Sequence, residues 1–505
     1  MSAAAPPGSR ASAGTSTPTG RNGLVWRRIV ADCETPVGAF AKLSRDGRGD
    51  FLLESVEGGS QRGRYSLIGL EPDLVYRASR GQAELNADYL RDPAAFESCA
   101  EDPVARLRTL ADACRIDVPE GLPPALAFLV GYFGYETLGL VEDVPRAANE
   151  ALGLPDMLFV RPTLLLVFDN LTDELFLIAP VWDGPGGSDA RIALAHERIE
   201  EAERGLAAAP PSRTAAPDLP DPALAPQSDP QAYRDMVLRA KEYIAAGDVF
   251  QVVLAQRFTC DFTLPPFDLY RALRRINPSP FLYFLDLPDF AIVGSSPEIL
   301  VRVREGEVTI RPIAGTRPRG ATPALDRAAE AELLADPKER AEHLMLLDLG
   351  RNDVGRVAKR GTVEVTDSYT IERYSHVMHI VSNVVGELDP ARDALDALFA
   401  GFPAGTVSGA PKLRACEIIA ELEPETRGAY AGGVGYFAPD GSVDSCIVLR
   451  TGVVKDGVLH VQAGAGIVAD SDPDYELREC EAKAGALLAA AREAVRLARE
   501  PGFGQ

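Results

Sequence analysis

Cysteine and histidine are scarce in this chain, and neither is arranged as a metal or disulfide motif. There are seven Cys and five His among 505 residues. The cysteine number is odd, the spacing is wide, and no Cys-x-x-Cys occurs. This pattern argues against a disulfide framework and a zinc site. It is typical of a reduced, cytoplasmic protein in which most cysteines are small buried apolar groups.

An excess of positive charge is also missing. The chain has 52 Lys and Arg against 74 Asp and Glu, a formal net charge of −22. Nucleic acids and anionic membranes select for clustered Lys and Arg, so neither is expected as a partner. An anionic small-molecule substrate stays possible, because a cationic pocket can lie inside an acidic protein.

Long apolar runs are absent from the N-terminus. Residues 1–24 are mostly small and polar, without the apolar segment of a signal peptide or a membrane span. They are predicted to be a disordered tail.

The rest of the chain is ordinary globular material, with 46% hydrophobic and 25% charged residues. Residues 25–208 predict an N-terminal α+β region, and residues 209–229, dense in Pro, Ala and Asp, predict a linker. Residues 230–500 begin with an amphipathic helix that should end at Gly247, and they hold most of the chemical motifs. Short apolar runs and helical periodicity predict strands at 51–53, 125–130, 163–168, 174–178 and 250–258, and helices at 190–208, 232–246 and 324–348.

Two pairs of glutamates are each spaced three residues apart. Glu339 and Glu342 form the first pair; Glu476 and Glu479 form the second, with Lys483 one turn beyond. On a helix each pair shares one face, where like charges cost a few tenths of a kcal/mol, about 0.2–0.5. A divalent cation held between two such helices would offset this cost, and oxygen ligands suit Mg²⁺. The spacing alone also fits two solvated helix faces, which is the commoner situation.

Two further features could hold anionic groups. Gly464, Ala465 and Gly466 are small residues where exposed backbone N–H groups could approach a carboxylate. Arg450 ends an apolar strand and could bind a second carboxylate in a bidentate manner. Taken alone, each signal is weak, because glycine turns are usually only turns and a terminal arginine is usually solvated.

Seven motifs follow one another along the second segment: RPIAGTR at 311–317, EHLM at 342–345 with RND at 351–353, YSHVMH at 374–379, PAGTVSGAPK at 403–412, CIVLR at 446–450, QAGAG at 462–466 and ELRECEAK at 476–483. In this order they resemble the chorismate-utilising enzymes, and most closely anthranilate synthase component I. The resemblance covers nearly the whole chain from about residue 25. It implies an α+β fold of two packed antiparallel β-sheets flanked by helices, with chorismate in a cleft between them.

The same resemblance implies a set of binding residues. Mg²⁺ would be bound by Glu342 and Glu479, with Glu339 and Glu476 beside them. The remaining binding residues would be Gly464, Ala465 and Gly466 on the ring carboxylate, Arg450 and Tyr430 on the enolpyruvyl carboxylate, and Gly315 and Thr316 along the ring.

Catalytic roles follow from the resemblance as well. Glu298 would protonate the departing hydroxyl, which requires a raised pKa. His379 would assist removal of the ring proton as pyruvate leaves. Gln251, Thr406 and Lys483 would complete the catalytic set.

Two positions distinguish members of the family. Related isochorismate and salicylate synthases carry a water-activating Lys where Gln251 stands, and aminodeoxychorismate synthases typically carry Lys in place of Ala314. A Gln has no usable basicity and an Ala cannot form an adduct, so both positions favour direct attack by ammonia. The alternatives are an aminodeoxychorismate or aminodeoxyisochorismate synthase component and a non-enzymatic chorismate-binding regulatory protein. A pure binder needs no acid and base, and turnover of chorismate with ammonium would separate the two classes.

The resemblance also implies a partner and an inhibitor. No glutaminase motif is found in the sequence, so ammonia is expected from a separate glutamine amidotransferase subunit in a heterotetramer. The reaction would be the first committed step of tryptophan biosynthesis, with tryptophan as feedback inhibitor. The expected tryptophan site consists of Glu54, Ser55, Arg64, Pro280, Phe281 and Leu282.

Overall fold

A computed structural model describes residues 12–15, 22–57, 61–150, 152–184, 187–210, 215–216, 218–374 and 377–500. Two large antiparallel sheets dominate these residues and share one hydrophobic core. Tyr132 and Phe290 come from different sheets, and their ring centroids lie 5.9 Å apart. The predicted α+β fold of two packed sheets flanked by helices is therefore confirmed.

The first sheet has thirteen strands in the described residues. Their order across the sheet is β1 (Ser12–Thr15), β2 (Gly23–Val30), β13 (Glu174–Val181), β12 (Leu164–Asp169), β6 (Tyr65–Leu70), β3 (Asp50–Glu54), β16 (Phe281–Leu287), β17 (Phe290–Ser296), β26 (Thr451–Lys455), β27 (Val458–Ile467), β15 (Gln251–Asp261) and β14 (Ala225–Pro226), with β23 (Gly409–Ala410) also on β15.

The second sheet has twelve strands in the same residues. Their order is β20 (Ile313–Pro318), β22 (Val377–Glu387), β19 (Glu307–Ile310), β18 (Ile299–Arg304), β25 (Val443–Ile447), β24 (Gly433–Phe437), β10 (Leu129–Phe133), β11 (Met157–Arg161), β7 (Leu74–Ser79), β8 (Gln82–Asn86) and β9 (Glu97–Cys99), with β21 (Glu364–Arg373) also on β22. A separate small hairpin pairs β4 (Val56–Glu57) with β5 (Gln61–Arg62).

Ten α-helices are found in the described ranges. They are α1 (Pro36–Leu43), α2 (Pro103–Ala113), α3 (Ser188–Leu206), α4 (Pro230–Ala246), α5 (Pro266–Ile276), α6 (Pro323–Ala335), α7 (Pro337–Gly355), α8 (Ala394–Gly401), α9 (Lys412–Leu422) and α10 (Pro473–Ala498). None of the helices in these ranges has both the length and the apolarity needed to cross a membrane.

Each sheet is built from both halves of the chain. In the first sheet β3 pairs with β16, and in the second β10 pairs with β24. The predicted boundary between residues 25–208 and 230–500 therefore does not separate two bodies. The described part of the 209–229 linker lies along the last helix, where Arg492 donates to the Pro222 carbonyl at 3.1 Å.

The single helix predicted at 324–348 is two helices. Asp336 has an extended backbone and caps α7 by accepting hydrogen bonds from the N–H groups of Lys338 and Glu339. Pro337 follows at the first helical position, and a proline disfavours helical backbone in the residue before it. The break places Glu339 in the first turn of α7. The helix that was expected to end at Gly247 does so, since this residue has φ +85° at the C-cap of α4.

Two local predictions are wrong. Residues 12–15, part of the predicted disordered tail, form β1 on the edge of β2, and β2 itself begins at Gly23. An edge strand has exposed backbone N–H and C=O groups. A neighbouring segment can pair with these groups even when the side chains of that segment show no strand pattern. The strand predicted at 125–130 lies further along, at Leu129–Phe133.

Close packing of an aromatic ring over a glycine gives a first prediction. A methyl group on Gly69 in β6 would lie 2.1 Å from the Cε1 of Phe51, which is only 1% exposed on β3. Gly69→Ala should lower the free energy of unfolding by about 1–3 kcal/mol through overpacking. Chemical denaturation measures this.

The matched variants are Phe51→Leu with Gly69→Ala, and Gly485→Ala. The double variant should lose less than the sum of its single changes, because the smaller side chain relieves the clash. Gly485 lies in α10 with open space around it, so its replacement should be neutral or stabilising by up to about 1 kcal/mol. Equal losses for Gly69→Ala and Gly485→Ala would contradict the packing argument.

Candidate active site

Glu298 lies in the bend between β17 and β18, in contact with the short 3-10 turn Gly405–Val407. The Thr406 hydroxyl is 3.2 Å from both carboxyl oxygens and can donate to either. Burial raises the pKa of Glu298 to about 8, although the Thr406 hydroxyl, the Ile313 backbone and the Arg450 charge each lower it. The group therefore holds a proton at neutral pH and can donate it.

His379 lies on β22 opposite a bulge in β20. The strand register shifts between Ala314 and Thr316, leaving Gly315 as the bulged residue with φ +67°. The Gly315 carbonyl is 3.0 Å from His379 Nδ1. A carbonyl only accepts, so Nδ1 carries the hydrogen of the neutral ring and Nε2 is the acceptor. Burial lowers the pKa of His379 to about 4, so the ring is neutral at neutral pH and Nε2 carries an unprotonated lone pair.

Arg450 supplies positive charge to both of these groups. Its charge lowers the pKa of Glu298 and that of His379, and burial lowers the pKa of the guanidinium itself. Its backbone has φ +48°, a strained conformation for a residue other than glycine. Apart from burial, only the charges of Tyr374 and Glu298 act on the guanidinium, and no hydrogen bond from a described residue contributes to its pKa. A largely desolvated cation with unfilled donors is suited to binding an anion.

The strands β15 and β27 form another wall of the cleft. A methyl group on Gly464 would lie 2.8 Å from the Tyr430 hydroxyl, and one on Gly466 would lie 2.2 Å from Gln251 Nε2. Both positions therefore require glycine, because any larger residue would collide with the Tyr430 or Gln251 side chain that packs against β27. On its other side, β27 pairs with β26 only as far as Val461. Beyond that point the backbone groups of Gly464 and Gly466 face an edge that no described strand occupies, while those of Ala465 between them face β15.

The Gln251 carbonyl oxygen is an orphaned acceptor. The side chain is only 4% exposed, and Oε1 has no hydrogen-bond partner among the described residues. A buried acceptor left unpaired costs about 1–3 kcal/mol, so it is a natural place for a polar ligand. Burial raises the pKa of Tyr430, which keeps its hydroxyl protonated as a donor beside Gly464.

The four predicted metal-site glutamates lie on α7 and α10, and the two helices bring their charges together. Burial raises the pKa of Glu342, and the charges of Glu339 and Glu479 raise it further. Burial also raises the pKa of Glu476, against a lowering hydrogen bond from Ser471, and Glu479 adds to the increase. Glu339 accepts from Arg317 at 3.0 Å, and Glu479 pairs with Lys483 at 2.7 Å.

Two of the four carboxylates are therefore paired with cationic side chains of this chain. No three His, Cys, Asp or Glu side chains in the described ranges form a ready-made metal site. For Glu342, by contrast, only burial and the charges of Glu339, Lys338, Glu479 and Lys483 act on the carboxyl, and no hydrogen bond from a described residue contributes to its pKa. A half-buried carboxylate that faces other carboxylates fits the donor set of a hard divalent cation.

Direct contacts join these groups into one cleft. Glu339 Oε2 would be 3.1 Å from a methyl group on Gly315, whose carbonyl holds His379. The 3-10 turn that carries Thr406 lies on β15, because the Val253 N–H donates to the Ser408 carbonyl at 2.8 Å. Lys483 donates to the Gly464 carbonyl at 2.8 Å. The structure thus gathers the residues that the sequence predicts as catalytic, substrate-binding and metal-binding.

The six residues of the expected tryptophan site line one cavity of about 440 Å³ between the two sheets. Two of their charges are already paired. Glu54 accepts two bonds of 2.9 Å from Arg274 and one of 2.6 Å from Tyr270. Arg64 is exposed and pairs with Asp169 at 2.9 Å. These two side chains therefore shape the cavity wall more than they offer free charge to it.

Part of the lining of this cavity adjoins Glu298 and His379. It is lined by Pro297, which precedes Glu298, and by Tyr374, whose ring centroid is 5.5 Å from that of His379. A ligand in the cavity would therefore be in contact with residues that neighbour both Glu298 and His379.

Two charged residues of the site were not predicted from the sequence. Glu423 and Arg427 form a fully buried ion pair behind Tyr430. Their spacing of four residues was the available signal, but it is also the spacing of many ordinary surface pairs.

Comparisons with known proteins agree with this geometry. Residues 50–489 match the family model of chorismate binding enzymes. The anthranilate synthase component 1 of Cereibacter sphaeroides is 52% identical over 487 residues, covering 96% of this chain and 97% of the relative. The crystal structure of anthranilate synthase component I from Streptococcus pneumoniae superposes with a TM-score of 0.76 at 35% identity, covering 91% of this chain and 99% of the other.

A more distant structure shares the fold alone. The menaquinone-specific isochorismate synthase from Escherichia coli has a TM-score of 0.67 at 19% identity, covering 94% of this chain and 96% of the other.

The raised pKa of Glu298 gives a prediction about stability. A buried carboxyl with a folded pKa of about 8, against 4.5 for its ordinary value, loses stability as the pH rises between these two values. Glu298→Gln removes this loss, so at pH 9 the variant should be more stable than the parent by up to roughly 5 kcal/mol, at ~1.4 kcal/mol per pKa unit. Urea unfolding of both proteins at pH 5 and pH 9 measures the difference.

Glu200→Gln serves as the control, because it removes a charge from the exposed face of α3. It should not reproduce the pH-dependent gain. If the difference between Glu298→Gln and the parent is the same at both pH values, Glu298 is ionised in the folded protein and cannot be the proton donor.

Proposed function

The chain belongs to the chorismate binding enzyme family, within its anthranilate synthase component I group, and we propose that it converts chorismate and ammonia into anthranilate, pyruvate and water. One observation carries the proposal: the charge of Arg450 acts on both Glu298 and His379 in one cleft, where burial raises the pKa of Glu298 to about 8 and lowers that of His379 to about 4. An acid, a base and an anion-binding cation in one cleft are the groups that this reaction requires.

The first half-reaction is the amination. The nitrogen of ammonia forms a bond to the ring carbon beside the one that bears the carboxylate, and the ring loses its hydroxyl. Glu298 donates its proton to that hydroxyl, which leaves as water. The orphaned Oε1 of Gln251 can accept an N–H of ammonia and orient its lone pair. A Gln cannot deprotonate water, so attack by water is disfavoured.

The second half-reaction is the elimination. Nε2 of His379 takes the ring proton, and the bond to the enolpyruvyl oxygen breaks, so the C–H electron pair completes the aromatic ring. The departing group takes up a proton and becomes pyruvate. Arg450 and the Tyr430 hydroxyl would bind its carboxylate during both steps.

A magnesium ion is part of the proposal. Glu342 and Glu479 would hold it, with Glu339 and Glu476 beside them, because these carboxylates on α7 and α10 repel one another in the absence of a cation. When bound, such an ion neutralises and positions the ring carboxylate of the substrate. The segment Gly464, Ala465 and Gly466 of β27 would bind the same carboxylate, through the N–H groups of the two glycines that face its free edge.

A second subunit is the proposed source of ammonia. The similar proteins are named component 1, which supports the existence of another component. We infer that this partner is a glutamine amidotransferase and that the two form a heterotetramer. Free ammonium at high concentration should replace the partner in a test of this chain alone.

The function is tested by incubating the purified chain with chorismate, Mg²⁺ and an ammonium salt at pH 8. Anthranilate fluorescence and pyruvate should appear in equal amounts. Glu479→Gln, which keeps the size of the side chain but weakens a ligand, should lower turnover by at least about 100-fold. Its melting temperature shows whether the fold is retained.

Product mass separates the alternatives. Isochorismate would mean that water attacks, and an aminated, non-aromatic product would mean that elimination does not follow. Full activity in excess chelator would rule out the proposed metal.

Tryptophan inhibition is a further part of the proposal, supported by the shared cavity of Ser55, Pro280 and Leu282. We propose that tryptophan bound there favours a state that binds chorismate poorly. By thermodynamic linkage, chorismate must weaken tryptophan binding by the same factor, usually about 1–3 kcal/mol. Pro297 and Tyr374 give the two sites a direct physical connection.

Ser55→Phe should relieve this inhibition. A methyl group on Gly63 would already lie 1.7 Å from Ser55 Oγ, so a larger side chain at position 55 has to turn into the cavity. Activity without tryptophan should change little. Anthranilate formation is measured against tryptophan concentration for Ser55→Phe, for Ser55→Ala as a control without added bulk, and for the parent. Identical inhibition curves for Ser55→Phe and the parent would show that Ser55 is not part of the tryptophan site.

A further inference from the structure

Arg427 is the most deeply buried cation of the cleft wall, with 3% of its surface exposed. Its guanidinium forms a two-point ion pair with Glu423, at 2.9 Å through Nε and 2.5 Å through Nη2. Burying such a pair costs several kcal/mol per ion unless its hydrogen bonds are well satisfied. The remaining contacts of Arg427 therefore indicate what the pair is for.

Those contacts reach three separate parts of the cleft. Nη1 donates to the Val407 carbonyl at 2.7 Å, in the turn that carries Thr406. Nη2 donates to the Val253 carbonyl at 2.7 Å, in β15, two residues from Gln251. The guanidinium carbon lies 5.6 Å from the centre of the Tyr430 ring.

The backbone of Arg427 is also held. Its N–H and that of Gly428 donate to the two carboxyl oxygens of Glu136 at 2.7 and 2.9 Å. Glu423 in turn accepts from the Ala255 N–H of β15 at 2.8 Å. Since both ends of the side chain are fixed, the three contacts cannot move independently.

We propose that Arg427, held by Glu423, is a positioning residue for the chorismate reaction. It fixes the turn that carries Thr406, the strand that carries Gln251 and the ring of Tyr430 at constant distances from one another. The Thr406 hydroxyl is thereby kept on Glu298. Arg427 touches no reacting atom and acts through these groups. The inference rests on the proposed function only in the kinetic part of its test.

Lysine cannot take over this role. A guanidinium is a planar fork with five N–H donors, whereas an ammonium is a single charged point on a flexible stem. Lysine at position 427 can pair with Glu423 but cannot also bridge carbonyls of two different elements. The turn at Val407 would then be free to move, and the Thr406 hydroxyl would no longer be held within hydrogen-bonding distance of Glu298.

The experiment compares Arg427→Lys with Thr406→Val and with the double variant. The Thr406 hydroxyl lowers the pKa of Glu298, so its loss should move the alkaline limb of kcat to higher pH. Arg427→Lys should shift that limb in the same direction, and the double variant should shift it no further. kcat/KM for chorismate should fall by about 100-fold, the usual cost of a small misplacement.

Arg161→Lys is the matched control. Arg161 also pairs with a carboxylate, Asp73 at 2.8 Å, and lies 4.8 Å from the Trp182 ring, away from the cleft groups. It should lower the melting temperature without moving the pH profile. If Arg427→Lys does not fold, the double variant Arg427→Met with Glu423→Gln replaces it, because this variant leaves no unpaired buried charge. Its pH profile is compared with that of the parent in the same way.

A folded Arg427 variant with the pH profile of the parent would overturn the inference. If the parent itself makes no anthranilate, the proposed function fails instead. The position of Thr406 can then still be followed through stability, by introducing Glu298→Gln into the Arg427→Lys protein. Because the pKa of Glu298 should be raised further in that protein, the gain from Glu298→Gln at pH 9 should be larger than in the parent.

Discussion

Backbone hydrogen bonding between distant strands holds this architecture together. β3 pairs with β16 across more than two hundred residues of sequence, and β10 pairs with β24 across an even longer interval. Neither half of the chain can complete a sheet alone. Because the cleft lies where the joined sheets and the helices α7 and α10 meet, the site exists only when both halves have folded together.

Burial shifts the pKa values of Glu298 and His379 in opposite directions through one physical cause. Removing water disfavours whichever form is charged. It therefore keeps the proton on Glu298, with a pKa of about 8, and keeps the proton off His379, with a pKa of about 4. The two groups are neutral together over that interval. In a protein of net charge −22, this cleft therefore combines two uncharged titratable groups with the cation of Arg450.

The cavity between the sheets and the catalytic cleft share a wall. Tyr374 is the connecting side chain: its ring contacts His379, and its hydroxyl donates to Glu372 at 2.9 Å. Glu372 also pairs with Arg311, another residue of the cavity lining. A ligand that shifts this wall would alter the surroundings of His379 without entering the cleft. Packed side chains transmit such shifts well, because protein interiors have little free volume to absorb them.

The order of residues was enough to predict the fold class, the family and the kinds of chemical group at the site. Local signals were sufficient for elements such as α4, where Asp229 and Gly247 are strong start and stop residues. The predicted α+β sheets and the membership in the chorismate binding enzymes are confirmed. The edge strand at residues 12–15 and the break at Asp336 were not predicted, because strand pairing and a cap between two helices are set by neighbours as much as by local pattern.

How the groups of the site are charged and held depends instead on three-dimensional packing. A pKa depends on burial and on charges from other elements, so nothing local in the sequence near Glu298 or His379 could reveal which form each adopts. The same holds for Arg427. In the sequence it is one of many arginines near a glutamate, and it acquires a role only because the fold brings Val407, Val253 and Tyr430 around it. Contacts between residues far apart in sequence are made by the packing of whole elements, and no spacing rule within one element contains them.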